Sequence, residues 1–148
     1  MLGSLNTSEI EDLLYQCNLG RIGCSYQGKV YVVPVNYIYD GRSVIAHSVE
    51  GLKTRIMRNN PSVCFEVDEV ETNKKWKSVI AQGIYQEIVE ERERYEAMKL
   101  FVDRMLKLKV SATAHPPEMQ PERLHNTSVK PVIYRILLLE KTGRYEKE

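Results

Sequence analysis

The chain doubles back on itself twice before residue 46. Gln27-Gly28 separates two runs rich in Ile, Val and Tyr, Gly20 to Tyr26 and Val30 to Tyr39, and Asp40-Gly41 leads into a third, Ser43 to Ala46. Two-residue links containing glycine join antiparallel neighbours, so these runs read as successive β-hairpins. Ser62 to Val67 continues the pattern, with Val63, Phe65 and Val67 alternating against Cys64 and Glu66. Trp76 to Val89 reads as one long strand or two halves bent at Gly83, and Val132 to Leu139 as the last strand, followed by Thr142-Gly143 and a charged tail. Six or seven strands at hairpin spacing, with few helices between them, specify an antiparallel barrel rather than a βαβ sheet. Pro34 cannot donate a ladder hydrogen bond and marks an edge, a bulge or a bend. In Val30 to Tyr39, Val32 and Ile38 oppose Val33 and Val35, so one face can line the barrel while the other meets a helix or a second subunit.

Three segments carry helical spacing. Ser8 followed by Glu11 has the form of a capping box, and Ile10, Leu13 and Leu14 extend the pattern to about Cys17. A second helix runs from about Leu52 to Asn59 and stops at Asn59-Asn60-Pro61. Between about Glu91 and Leu108, Tyr95, Met98, Val102, Met105 and Leu106 form an apolar stripe, and Glu90 to Arg94 reads as a solvated helix start. Asp68 to Lys75 reads as a charged connection. Residues 110 to 131, with Pro116, Pro117, Pro121 and Pro131, read as a long irregular connection of lid-like length.

The composition narrows the functional classes. At 148 residues the whole chain, 1–148, fits one domain. A formal net charge of +1 gives no global field for nucleic acid or an acidic membrane, so any anion must be caught locally. No run approaches the ~20 apolar residues that cross a bilayer, and the N-terminus lacks a basic start with an apolar core. Cys17, Cys24 and Cys64 match neither a disulfide framework nor a zinc or redox motif, which points to reduced thiols in the cytoplasm. Cys24 and Cys64 read as core residues. His47, His115 and His125 show no metal-binding spacing, and no paired-carboxylate or Ser-His-Asp pattern stands out.

One stretch points to local anion chemistry. The run Val44 to Ala46 ends at His47-Ser48, and a tight turn through Val49, Glu50 and Gly51 enters a helix with Lys53, Thr54 and Arg55 in its first turn. A helix N-terminus carries unpaired N–H groups and about half a positive charge, so cations there are disfavoured by ~0.3–1 kcal/mol. Basic and hydroxyl residues make sense at that end if a phosphate sits on it. The competing reading is that Glu50 neutralises Lys53 and nothing binds.

The order of these pieces resembles the pyridoxamine-phosphate-oxidase-like FMN-binding split barrel, and within it the small nitroimidazole-reductase-like (Nim-type) members. The likeness is carried by GRIG at 20–23, VYVVPVNYIYDG at 30–41, IAHS at 45–48, GLKTRIMRNNPSVCFEVDE at 51–69, WKSVIAQG at 76–83 and YRILLLEKTGR at 134–144. It implies a mostly-β (α+β) antiparallel split β-barrel with peripheral helices, and a homodimer holding one FMN in each of two interface clefts. By position, Lys53 pairs with the FMN phosphate, with Thr54 in the same helical turn. His47 and Ser48 lie beside the phosphate and ribityl chain, Val35 and Asn36 offer backbone groups to the isoalloxazine edge, and Ser78, with Trp76 nearby, approaches from the following strand. The family's pyridoxamine-phosphate oxidases carry adjacent Arg-Lys where this chain has Leu52-Lys53, so one phosphate contact is missing: either phosphate affinity is lower, or Arg55 or a partner residue substitutes. The chain ends TGRYEKE, without the basic C-terminal substrate motif, so vitamin B6 oxidation is discounted.

The resemblance further implies an FMN-dependent oxidoreductase that takes electrons from NAD(P)H and passes them to a small acceptor such as a nitro compound or quinone. A non-catalytic flavin-binding or storage protein is the second reading. A heme-binding split barrel with His47 or a loop histidine as axial ligand is the third. Nucleic-acid binding is weakest, because near-neutral charge offers no basic groove.

Overall fold

The computed structural model describes residues 1–107 and 131–148. The expected positions of His115, His125 and most of the Pro-rich connection lie outside the described residues. The elements are β1 (Leu2–Ser4), α1 (Thr7–Gln16), β2 (Leu19–Tyr26), β3 (Lys29–Asn36), β4 (Ile38–Tyr39), β5 (Ser43–Ser48), α2 (Leu52–Asn59), β6 (Ser62–Thr72), β7 (Lys75–Glu87), α3 (Glu91–Lys107) and β8 (Val132–Glu146).

The strands form one antiparallel sheet in the order β3-β2-β6-β7-β8-β5-β4, with β1 also paired to β8. β3 and β4 occupy opposite edges, yet only Tyr37 separates them in sequence. A single residue spans at most ~7 Å between its neighbours, so the sheet must coil until its two edges nearly meet. They do not pair, and the barrel stays open at that seam. The fold is the split barrel expected from the sequence. Tyr37 fastens the seam: its N–H donates to Asn18 O at 2.9 Å and its hydroxyl to Leu14 O at 2.9 Å.

The hairpins follow their turn chemistry. Gln27 and Gly28 both have positive φ, as a type I′ turn requires, and Asp40 Oδ1 accepts the N–H groups of Arg42 and Ser43 around Gly41. Pro34 lies on edge strand β3, where a missing donor costs least. Gly83 sits at the register shift of β7 against β8. A Cβ there would meet Leu137 O and Ile136 Cγ2, both at 2.7 Å.

Other boundaries differ from the sequence reading. The capping box of α1 is Asn6 with Glu9: Asn6 Oδ1 accepts from Glu9 N–H at 2.8 Å and Glu9 Oε1 from Asn6 N–H at 2.9 Å. The helix cap therefore lies two residues before the Ser8 cap expected from the sequence, and Ile10, Leu13 and Leu14 still face the core. β6 runs on through Asp68 to Thr72, because the residues past Glu69 are solvent-exposed and its ladder to β7 continues. β8 likewise passes through Thr142-Gly143 to Glu146, held by β7 and β1. Gly143 allows close approach rather than a turn, since a Cβ would strike Leu5 and Ile10 at 2.8–3.0 Å. The buried face of α3 is Ala97, Phe101 and Met105, with Met98 packed at its margin; Tyr95 and Leu106 of the expected stripe are exposed.

Two apolar clusters result. The larger fills the barrel with inward residues such as Ile22, Phe65, Val79 and Ile136, closed by α1 and α2. The smaller lies between α3 and the outer face of β4, β5 and β8, and includes Ile38, Ile45, Phe101 and Ile133.

Candidate functional site

Strand alternation sorts the candidate residues into three places. Ala46 pairs with Tyr134, His47 with Ile133, and Ser48 with Val132. Ala46, Val132 and Tyr134 belong to the barrel core, so Ser48 shares their face, while His47 points the other way. His47 lies under α3, its ring edge-on to Phe101 with centroids 4.8 Å apart.

The first place is a corner where β5 hands over to α2. Gly51 caps α2 without a side chain, and its backbone is extended. A Cβ at Gly51 would meet nothing closer than Val49 O at 3.9 Å, so space stands open in front of the helix. Thr54 is fully buried, and its hydroxyl accepts from Gly51 N–H at 3.0 Å and donates to Gly51 O at 2.9 Å. That closes the turn and uses the hydroxyl. No acidic residue lies in the first turn, and the N–H groups of Leu52, Lys53 and Thr54 precede the first intrahelical bond, Arg55 N–H to Gly51 O.

Lys53 reaches inward from this corner. Its ammonium sits 5.8 Å from the ring centroid of Tyr134, and burial pushes its pKa below the usual lysine value. Among the described residues no carboxylate lies within ion-pair distance of Lys53. Glu50, the neighbour that would otherwise quench it, is held by Arg58, whose Nε also donates to Glu87 Oε1 at 2.8 Å. Tyr85 donates to the same Glu87 oxygen at 2.8 Å. Burial alone would raise the Glu87 carboxyl, but the Arg58 and Tyr85 hydrogen bonds bring it below its ordinary value. Arg58 thus draws the acidic charge away, and Lys53 keeps its own. Arg55 Nε donates to Gly51 O at 3.3 Å, which carries a second guanidinium back toward the helix start.

Two hydroxyls complete the corner. Ser48 Oγ and Tyr134 OH are both buried without a hydrogen-bond partner among the described residues. Tyr134 is 0% exposed, and its ring is tilted against Tyr85 at 5.3 Å. Sequence reading missed Tyr134. A signal existed, because a tyrosine in the inward register Val132, Tyr134, Ile136, Leu138 buries a polar tip that needs a partner.

The second place is the outer face of β3, β2, β6 and β7. Asn36, Ser78 and Trp76 stand there, whereas Val35 faces the core at 6% exposure. Ser78 Oγ donates to Glu66 Oε2 at 3.0 Å, and Arg21 approaches Glu66 at 3.7 Å and Asp68 at 3.4 Å. Burial, then the hydrogen-bonded Asp68, push the Glu66 carboxyl up to about 7. Leu19, Val30, Val32 and Ile80 are exposed on the same face. At its far end Trp76 Nε1 donates to Glu146 Oε2 at 3.1 Å, beside a cavity of about 330 Å³ bordered by Ser4, Trp76 and Tyr145.

The third place, under α3, holds His47 alone of the candidates. A second cavity, about 370 Å³, lies between Tyr15, Tyr37, Tyr39 and Arg104. Among the described residues no group of His, Cys, Asp or Glu is arranged to hold a metal ion, and no helix is long and apolar enough to cross a membrane.

Ser48, Lys53 and Thr54 therefore come together within one chain, and Asn36, Trp76 and Ser78 share a different surface. Tyr134 beside Lys53 and Glu146 beside Trp76 mark the two ends of β8, roughly 40 Å apart along the strand at ~3.3 Å per residue.

An open, coiled antiparallel sheet with peripheral helices places the chain in the split-barrel class. The profile of the family described as "Pyridoxamine 5'-phosphate oxidase" matches residues 6–144, and the chain belongs to that family. An uncharacterized protein of Rhizobium meliloti (strain 1021) is 32% identical over 84 residues, 57% of this chain and 56% of the relative, so the match spans little more than half of each. Among solved structures, an FAD-binding protein from Mesorhizobium loti superposes with a TM-score of 0.75 at 28% identity, covering 99% of both chains. A candidate 5-nitroimidazole antibiotic resistance protein from Bacteroides thetaiotaomicron has a TM-score of 0.72 at 18% identity, over 98% of this chain and 87% of that one, a likeness of fold alone.

Proposed function

We propose that the chain, taken whole as one domain, is an FMN-binding flavoprotein whose flavin phosphate sits at the Lys53 corner. The observation that carries this reading is a half-buried ammonium with no carboxylate partner among the described residues, set beside a helix start without a side-chain cap and two hydroxyls that pair with none of those residues. A buried charge normally finds a partner within the protein, and free amides with a cation suit a phosphate ester. Family membership and the FAD-binding M. loti relative support a flavin as the group that bears it.

The residues divide the work. Lys53 and the amides of Leu52 and Lys53 hold the phosphate, Ser48 lies beside it, and Thr54 keeps the turn in shape. Bound flavin supplies electron transfer, and the chain supplies position, charge and exclusion of water. The exposed apolar face of β3, β2, β6 and β7 joins two copies as a homodimer. A partner laid across that face would add its own Asn36, Trp76 and Ser78 to the Lys53 corner, which one chain does not do. NAD(P)H as donor and a nitro compound or quinone as acceptor are the reaction we assign, by analogy of fold. The three unpaired cysteines suit a reducing, cytoplasmic setting.

The visible spectrum of freshly purified protein tests the reading. Flavin absorption, bleached anaerobically by NADH or NADPH and restored by a nitroaromatic, is the expected result. A stable flavin that no donor reduces would leave a binding or storage protein. Colourless protein that takes up neither FMN nor FAD would remove the flavin altogether.

A further inference from the structure

Tyr134 is the largest inward side chain of the β8 run that starts at Val132, and its neighbours in that register are aliphatic. Its hydroxyl is fully enclosed and pairs with none of the described residues. Leaving such a group unsatisfied costs ~1–3 kcal/mol, and phenylalanine would fill the same volume without that cost. The ring alone therefore does not explain a tyrosine here. Two further facts surround it. The Lys53 ammonium stands 5.8 Å from the ring centroid, so the ring face helps hold the cation in place. Ser48, whose own Oγ is unpaired, lies one diagonal step away on the same face of the β5–β8 ladder, at a distance of about 7 Å for such neighbours.

We infer that Tyr134 is a positioning residue for the phosphate: its ring seats Lys53, and its hydroxyl donates to the phosphate that Lys53 and the start of α2 bind. The inference rests on the flavin-phosphate reading and extends it to a residue across the barrel. The apo protein stores an unsatisfied donor that ligand binding satisfies. Stability without ligand and affinity for ligand therefore pull in opposite directions at this one atom.

Tyr134→Phe separates the two. The variant keeps the ring, the packing and the contact with Lys53, and loses only the hydroxyl. Without ligand it should melt at the same temperature as wild type or higher. Its Kd for FMN should rise about tenfold, the factor for one hydrogen bond of ordinary strength, while its Kd for riboflavin, which has no phosphate, stays within about twofold of wild type. A lower melting temperature would show that the hydroxyl has a structural partner and would overturn the inference. So would an unchanged Kd for FMN, or an equal weakening for riboflavin. A second readout needs no variant: with tyrosine labelled at the hydroxyl-bearing carbon, the Tyr134 NMR resonance should move on adding FMN or inorganic phosphate but not riboflavin, and an unmoved resonance with FMN bound would overturn the inference equally. Wild-type protein that binds no flavin at all would instead defeat the flavin reading itself, a result told apart by the same titration.

Discussion

At the scale of single residues, the proposed site turns on Lys53, which has no carboxylate partner among the described residues. The reading that Glu50 neutralises Lys53 does not hold, because Arg58 takes Glu50. Lys53→Met should weaken FMN binding by ~1.5–3 kcal/mol, the range for a lost charged hydrogen bond, as measured by fluorescence titration. The apo variant should lose little stability, since it sheds a half-buried charge that no carboxylate among the described residues neutralises. Gly51→Val is a second probe. Its extended backbone accepts any residue and the space ahead of it is open, so the variant should fold with unaltered circular dichroism yet load less flavin. Normal loading would mean that no ligand occupies that space. Glu66 offers a pH signature. Its folded pKa, near 7, lies above the unfolded 4.5, so the folded state binds more protons between these values and its contribution to stability is lost as pH rises through that window. Denaturation midpoints should show this loss in wild type and not in Glu66→Gln; equal pH slopes would count against the shifted carboxyl.

At the scale of elements, what was readable depended on how local the cause was. The turns at Gln27-Gly28 and Asp40-Gly41, the edge position of Pro34 and the limits of α2 follow from neighbouring residues, and the structure has all of them. The continuations of β6 and β8 through charged residues were not readable. A solvated outer face tolerates Asp, Glu and Lys in a strand once the ladder beyond is in place, and that ladder is a long-range fact. The rotated face of α3 has the same origin: Phe101 is buried because His47, Ile45 and Ile133 lie beneath it, and nothing within residues 91–107 announces them. Phe101→Ala should therefore cost ~3–5 kcal/mol in chemical denaturation, whereas Leu106→Ser, on the exposed side, should stay within ~0.5 kcal/mol. Comparable losses would return the buried face to the stripe read from the sequence.

At the scale of the whole molecule, the split at Tyr37 and the uncovered sheet face belong together. A sheet that coils without closing leaves an outer surface on which Leu19, Val30, Val32 and Ile80 are exposed around the Arg21, Glu66 and Asp68 cluster. Half of the candidate site was legible in the sequence, as residues 48–54 lie within one turn of chain. The inward register hinted at a buried tyrosine at 134, but its place beside Lys53 was not legible, because long-range strand pairing brings the two together. The separation of Trp76 and Ser78 from that corner was hidden for the same reason. If a second copy covers the outer face, Val32→Asp with Ile80→Asp should yield a monomer by sedimentation and lose flavin with it. A variant that remains dimeric would put the interface elsewhere.

The most direct test of a phosphate at the start of α2 is a titration of apo wild-type protein with FMN and with riboflavin, followed by flavin fluorescence. We expect saturable binding of FMN at least tenfold tighter than riboflavin, with the difference reduced in Lys53→Met. Equal affinity for the two flavins, or no binding of either, would contradict it.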